Sequence, residues 1–293
     1  MSIDLSAVRA IDTHVHVEAD GHGHLALDGE LLNASSEHFK VSDNRAPTIE
    51  QIAEFYRARQ LAAVIFTVDA HTATGHPALN GMEILAEAGR HRDVLIPFCS
   101  VDPRDGEAVV RLSEYAAAGA RGVKLHPSLQ AFRPNDPAVY PLYEAATELE
   151  LPIIFHTGQT GIGAGLPGGR GIKLAYSDPM LIDDVAADFP TLTIVMAHPS
   201  VPWQDAAIAS ATHKANVFID LSGWSPKYFP PQLVRAINGL LKRKVLFGSD
   251  FPLITPDRWI ADFDQLTIKP EVRPLVMKEN AARVLGLARS TGV

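Results

Sequence analysis

Short apolar, β-branched runs alternate along the chain with segments whose apolar residues recur at helical spacing. The runs occupy residues 10–17, 61–69, 94–101, 122–126, 152–157, 192–198, 217–222 and 245–250, each bounded by turn residues, and each predicts a β-strand. Residues 48–60, 79–91, 106–118, 138–149, 179–188 and 231–242 read instead as amphipathic helices. In the first of these, Ile49, Ile52, Ala53 and Tyr56 share one face, and Thr48 stands where its hydroxyl can cap the opening turn. Strict alternation of strand and helix, with runs apolar on both faces such as Pro152-Ile-Ile-Phe155, predicts a parallel sheet covered by helices. No linker interrupts the series at its midpoint, so closure into a (β/α)8 TIM barrel, an α/β single domain spanning residues 1–293, is favoured over an open doubly wound sheet. Residues 269–287 predict a helix closing the barrel from outside. The connections at 18–47, 158–176 and 223–231 are long enough to wall or cover a site.

Polar residues stand at the C-terminal ends of the apolar runs. His126 ends Gly122-Val-Lys-Leu-His126, His156 ends Pro152-Ile-Ile-Phe-His156, His198 ends Thr193-Ile-Val-Met-Ala-His198, and Asp250 ends Val245-Leu-Phe-Gly-Ser-Asp250. In a parallel barrel those ends form one mouth, and the chemistry of such folds sits there. The first run contributes Ile11-Asp12-Thr13-His14-Val15-His16. Residues two apart on a strand face the same way, so Asp12, His14 and His16 are expected to point together into the barrel. An isolated H-x-H pair says little, but its convergence with His156, His198 and Asp250 predicts a metal centre. Imidazoles with a carboxylate suit zinc, and manganese or iron also fits. An ion held this way brings bound water to a pKa of about 7. Asp250 would then either ligate or take the proton of that water, with His198 polarising the substrate or shuttling a proton. Lys124 lies two residues before His126 and is expected to face inward with it, whereas Pro127 leaves His126 equally readable as a strand end.

Composition narrows the partners. The formal charge is −8, with 26 Lys and Arg against 34 Asp and Glu, and no dense basic run, which points to a small molecule and away from nucleic acid or an anionic membrane. No stretch reaches the roughly 20 apolar residues that span a bilayer, and the start lacks a basic-then-apolar leader, so a cytoplasmic protein is expected. Cys99 is the single cysteine, which excludes an intrachain disulfide and a thiolate metal cluster.

Together, Asp12-Thr-His14-Val-His16, His156, Ala197-His198-Pro199 and Gly248-Ser249-Asp250-Phe251-Pro252 resemble the amidohydrolase superfamily over nearly the whole chain, in particular the branch that includes aminocarboxymuconate semialdehyde decarboxylase. The resemblance implies a TIM barrel in which His14, His16, His156 and Asp250 ligate one divalent ion, with His198 as acid or base beside it. The stretches His156-Thr-Gly-Gln-Thr-Gly-Ile-Gly-Ala-Gly165 and Leu221-Ser-Gly-Trp-Ser-Pro-Lys-Tyr-Phe229 are similar to enzymes described as 4-hydroxyphenyl-β-ketoacyl-CoA hydrolases. That likeness implies a hydrolase in which activated water attacks the carbonyl of an aromatic β-ketoacyl thioester. The alternative is a metal-dependent non-oxidative decarboxylase of an aromatic or muconate-type acid. Lys124 occupies the position where two-metal members carry a carboxylated lysine. The branch keeps one metal, so Lys124 is expected to remain an amine that contacts a substrate anion. Related barrels associate, which implies a homo-oligomer.

Several residues compete for supporting roles. Gly163-Ala-Gly165-Leu-Pro-Gly168 matches a dinucleotide fingerprint in letters, but Pro167 and Gly169-Arg170-Gly171 prevent the helix that such a site needs. The segment reads as a lid, with Arg170 or Lys173 placed to meet an anion. Arg133 follows the fourth run and suits a carboxylate, Trp224 with Tyr228 and Phe229 suits an aromatic wall, and His22, His24, His38, His71 and His76 read as loop histidines. A Schiff-base aldolase using Lys124, or a barrel kept only for binding, would need no metal.

Overall fold

The computed structural model describes residues 3–40 and 46–287. Residues 41–45 of the first long connection, and both ends of the expected 1–293 domain, lie outside the described residues. Every expected run contains a strand: β1 (Ala10–His16), β2 (Leu61–Phe66), β3 (Leu95–Pro97), β4 (Val123–Leu125), β5 (Ile153–His156), β6 (Ile194–Ala197), β7 (Val217–Asp220) and β8 (Val245–Leu246). All ladders are parallel, in the orders β1-β2-β3 and β4 through β8. Two seams close the ring. Lys124 N–H donates to the Cys99 carbonyl at 2.7 Å, and on the other side Thr13 N–H reaches the Phe247 carbonyl at 2.9 Å while Asp250 N–H reaches the His14 carbonyl at 3.0 Å. The architecture is a (β/α)8 barrel.

Side-chain alternation divides the strands into a sleeve and a plug. On β2, Leu61, Ala63 and Ile65 pack outward against the helices, while Ala62, Val64 and Phe66 fill the barrel with Ile11, Ile154, Val195 and Leu246. Two helices lie in the connections at the mouth, α1 (Gly29–Phe39) and α3 (His71–Thr74), and the sleeve is covered by α2 (Ile49–Arg57), α4 (Gly81–Ala88), α5 (Ala108–Ala117), α6 (Tyr140–Glu148), α7 (Pro179–Asp188), α8 (Gln204–His213), α9 (Pro231–Ile237), α10 (Pro256–Phe263) and α11 (Asn280–Val284). Thr48 caps α2 with Gln51 answering it, the reciprocal box that satisfies otherwise unpaired N–H groups. The segment expected to be one helix over 269–287 is a π turn at Leu275–Glu279 running into the short α11. No helix among the described residues is long and apolar enough to cross a membrane.

One expectation about β1 is overturned. Its register against β2 shifts between Asp12 and Val15, and the bulge changes which face each residue takes. Ala10 and Val15 both join the outer sleeve although they are five positions apart, an odd offset, so His14 and His16 face the barrel and Asp12 does not. Asp12 lies under α2, accepting from Tyr56 Oη at 2.7 Å and from the backbone N–H groups of Ser249 and His14 at 2.9 and 3.1 Å. It ties β1 to the β8 end and to α2. Burial pushes its carboxyl up to about 7 against the pull of these donors.

Candidate active site

His14 and His16 rise from the barrel floor, with the Phe66 ring edge-on to both at 4.9 and 5.1 Å between centroids. Their Nε2 atoms stand 3.3 and 3.1 Å from Asp250 Oδ1, and the ligand-capable atoms of the three residues lie within 4.8 Å of one another. Each imidazole has a carboxylate behind its other nitrogen. His14 Nδ1 is 2.9 Å from Asp220 Oδ2, and His16 Nδ1 is 3.4 Å from Glu18 Oε1. A carboxylate cannot donate when ionised, so each Nδ1 carries the proton and each Nε2 lone pair faces Asp250, an arrangement typical of metal-binding histidines. Burial, then the charge of Lys124, keeps His14 well below the ordinary histidine range. Burial opposes ionisation of Asp250. The nearby His16, His14 and His198 outweigh that and hold the carboxyl well below the usual carboxylate range.

His156 is oriented by a second relay. The Ser222 carbonyl, which can only accept, lies 3.0 Å from His198 Nδ1, so that nitrogen holds the proton. His198 Nε2 is then an acceptor for His156 Nδ1 at 3.0 Å. This leaves a lone pair on His156 Nε2, and that atom is buried with no hydrogen-bond partner, as is Asp250 Oδ1. Two buried orphans are costly unless a ligand takes them, and three imidazole lone pairs with one carboxylate are a donor set that fits a divalent cation. His156 stands outside the tight group formed by His14, His16 and Asp250. Asp220, which also lies near His14 and His198, is occupied: Oδ2 takes His14, while Oδ1 accepts from Ser222 N–H at 2.9 Å and from the Ser222 hydroxyl.

The backbone is strained where these groups are presented. Asp250 and His198 adopt φ of 75° and 72°, a region uncommon for residues with a Cβ and found disproportionately at functional sites. Gly223 makes room for both side chains. A Cβ there would lie 2.5 Å from His198 Nδ1 and 3.3 Å from Asp250 Oδ2, and its φ is +74°. Gly223→Ala is therefore expected to push His198 off the Ser222 carbonyl and weaken metal affinity by about 10- to 100-fold, the usual cost of disturbing an outer partner. Metal titration reads this, and an affinity equal to wild type would contradict the packing described.

Lys124 and His126 do face the site. Lys124 is fully buried, its Nζ 3.3 Å from His14 Nε2 and 4.8 Å above the Phe66 ring, and burial brings its ammonium down to about 8 against the pull of Asp220 and Asp250. The His126 ring stacks on His156 at 3.8 Å and 8°. Burial, then Lys124, keeps it well below the ordinary range, so it is neutral. Above these groups opens a cavity of about 340 Å³, walled by Leu27, Leu32, Phe39, Trp224, Leu253 and Ile254.

Two expected contacts lie elsewhere. Arg170 pairs with Glu30 and with Asp28 at 3.4 Å, pinning the long β5 connection to α1, and Arg133 stands 5.7 Å from the Tyr176 ring. Neither lines the cavity, because each sits on the outer surface of its loop. Arg258 and Glu18 line it instead. Asp220 and Ser222 complete the site behind His14 and His198, and Asp220 carries a sequence signal, because Val217-Phe-Ile-Asp220 is an apolar strand ending in a carboxylate, as the eighth run is.

A second His and carboxylate cluster stands after β2 and β3. His71 Nδ1 is 2.7 Å from Asp69 Oδ1 and 3.8 Å from Asp102 Oδ2, and its Nε2 is 3.5 Å from Asp105, which also holds Arg111 at 3.0 Å. Thr72 and Arg104 N–H groups fill Asp102, so the cluster reads as a loop clasp. The Asp69 hydrogen bond raises the His71 pKa above 6.5. A raised folded value means that the stabilisation is complete below the unfolded pKa and disappears as pH rises through the folded one. Wild type should exceed His71→Asn in denaturation experiments near pH 6 by about 1 kcal/mol or less, given partial exposure, and the gap should close by about pH 9. A gap that widens with pH would refute the assignment.

A family model described as amidohydrolase matches residues 11–287. No curated protein matches the sequence. Among solved structures, the chain is similar to an uncharacterised TIM-barrel protein from Bordetella bronchiseptica, at 23% identity over 94% of this chain and 98% of that one, with a TM-score of 0.77. It is also similar to 5-carboxyvanillate decarboxylase from Sphingomonas paucimobilis, at 16% identity over 95% and 99% of the two chains, TM-score 0.64. A third is a dihydroxybenzoic acid decarboxylase from a Polaromonas species with bound manganese and the inhibitor 2-nitroresorcinol, at 15% identity over 97% and 98%, TM-score 0.67. At these identities the structural likeness establishes the barrel. The family match covers nearly the whole chain, strand ends included, and the chain belongs to the amidohydrolase family.

Proposed function

We propose that the chain is a divalent-metal-dependent carboxy-lyase that removes CO2 from an aromatic carboxylic acid without an oxidant. What carries the reading is the company of the fold: decarboxylases of ring carboxylates share this barrel over nearly its full length. The thioester hydrolysis expected from two loop stretches has no comparable support, and its alternative takes its place.

In this reading His14, His16 and His156, through Nε2, and Asp250, through Oδ1, would hold the ion. Manganese is the ion in the Polaromonas enzyme's structure, and zinc suits the same donors. When bound, such an ion would polarise substrate oxygens and stabilise negative charge at the reacting group. Lys124, a buried cation beside His14, meets a substrate anion and offsets its desolvation. The aromatic ring lies against Trp224 and the apolar wall, which keeps bulk water away. The bond from ring carbon to carboxyl breaks, its electron pair stays on the carbon, and a proton replaces CO2. The Asp250 carboxylate is held ionised, so its Oδ2, turned toward Gly223, is the oxygen left to relay that proton from a solvent water to the ring carbon. His198, expected as a proton carrier, is committed at both nitrogens and serves to orient His156.

The protein reconstituted with Mn2+ or Zn2+ should release CO2 from at least one member of a panel of hydroxylated benzoates, and a chelator should abolish this. Turnover of aromatic β-ketoacyl thioesters with no CO2 from the panel would overturn the proposal.

A further inference from the structure

We propose that Thr160, backed by His126, is a specificity-determining residue of the cavity: its hydroxyl is set to donate a hydrogen bond to an acceptor oxygen of the substrate. The inference rests on the aromatic-acid reading and says which substrate group the β5 connection recognises.

The argument follows protons from the backbone outward. Leu129 N–H donates to His126 Nδ1 at 3.3 Å, so that nitrogen presents its lone pair and the ring proton resides on Nε2. His126 Nε2 stands 3.4 Å from Thr160 Oγ1, and Ile162 N–H donates to the same oxygen at 3.1 Å. A hydroxyl offers two lone pairs and one hydrogen. Both lone pairs are taken, and among the described residues no acceptor stands opposite the hydrogen. Both Thr160 and His126 line the cavity. A group arriving there must accept: a carboxylate, phenolate or carbonyl oxygen fits, and an ammonium or amide N–H does not.

The His126 ring that sets the donor is also rigid. The backbone N–H of His126 goes to Gln130 Oε1 at 2.7 Å, and the buried Gln130 amide donates in turn to the carbonyls of Asp69 at 2.6 Å and Val101 at 2.9 Å. Three strand ends are joined behind the ring, and the stack on His156 fixes its plane. A donor held this way loses little entropy on binding, so the contact contributes discrimination as well as affinity.

The test uses the full chain loaded with Mn2+ and, as probe, 2-nitroresorcinol, which carries acceptor oxygens and no carboxyl to lose. Thr160→Val is expected to keep its metal content and bind the probe about tenfold or more weakly, the scale of a lost hydrogen bond to a charged group. Thr160→Ser should return to within about threefold of wild type, a rescue that a purely structural role of the side chain would not produce. His126→Phe, which keeps the stack but removes the Nε2 proton, should weaken binding by less than Thr160→Val. Unchanged affinity in Thr160→Val, or a serine variant as weak as the valine one, overturns the inference alone. Failure of the metal-loaded wild type to bind the probe overturns the aromatic-acid reading and this inference with it.

Discussion

Asp250→Asn is expected to reduce turnover by about a thousandfold and to leave the purified protein with well under one metal ion per chain. Asp250 Oδ1 stands between the Nε2 atoms of His14 and His16, at 3.3 and 3.1 Å, buried and without a hydrogen-bond partner. The amide keeps the shape and removes the charge. Either its oxygen faces the imidazoles as a weaker ligand, or its NH2 group blocks their lone pairs. The Lys124 ammonium nearby would then repel a cation with less to offset it. Losing about 4 kcal/mol of charge stabilisation, a typical metal contribution, corresponds to that thousandfold. Asparagine tolerates positive φ better than most residues, so the strained turn should survive and the thermal midpoint should hardly move. Metal content and turnover like wild type would remove Asp250 from the ligand set.

The second large effect is expected at Asp220, which no substrate need touch. Asp220→Ala strips the partner from His14 Nδ1 and the acceptor from both Ser222 donors, all fully buried. Leaving buried groups unpaired beside Lys124 should cost about 3–5 kcal/mol in denaturant unfolding. Metal affinity should fall a further 10- to 100-fold, because the His14 tautomer is no longer fixed. The two measurements separate the roles. A destabilised variant that binds metal as tightly as wild type would make Asp220 a structural residue alone.

These two residues also mark what could be read from the sequence. Asp250 was legible because it ends a strongly apolar run, and every such run became a strand at the expected place. His14, His16, His156, Lys124 and His126 were legible for the same reason: strand ends in a parallel barrel converge whatever the loops do. Asp12 departs from the period-two expectation because that period holds only for a regular strand, and the bulge between Asp12 and Val15 reverses the face of every residue before it. The helix at Gly29–Phe39 was hidden inside a polar loop, although its Asp28 cap is a visible start signal. Arg133 and Arg170 fell within the right loops, but a loop's sequence does not say which side of it faces the cavity. Asp220 ends an apolar run as Asp250 does, but that it acts through His14 and Ser222 was not legible, because hydrogen bonds behind a ring leave no spacing to read.

The most direct test of the central claim is the fate of the substrate carboxyl in heavy water that is also labelled with heavy oxygen. For a hydroxylated benzoate turned over by the metal-loaded protein, the carboxy-lyase account predicts one CO2 per product, one deuterium at the vacated ring carbon, and no solvent oxygen in the aromatic product. Solvent oxygen built into a new product carboxylate, with no CO2 released, would contradict it.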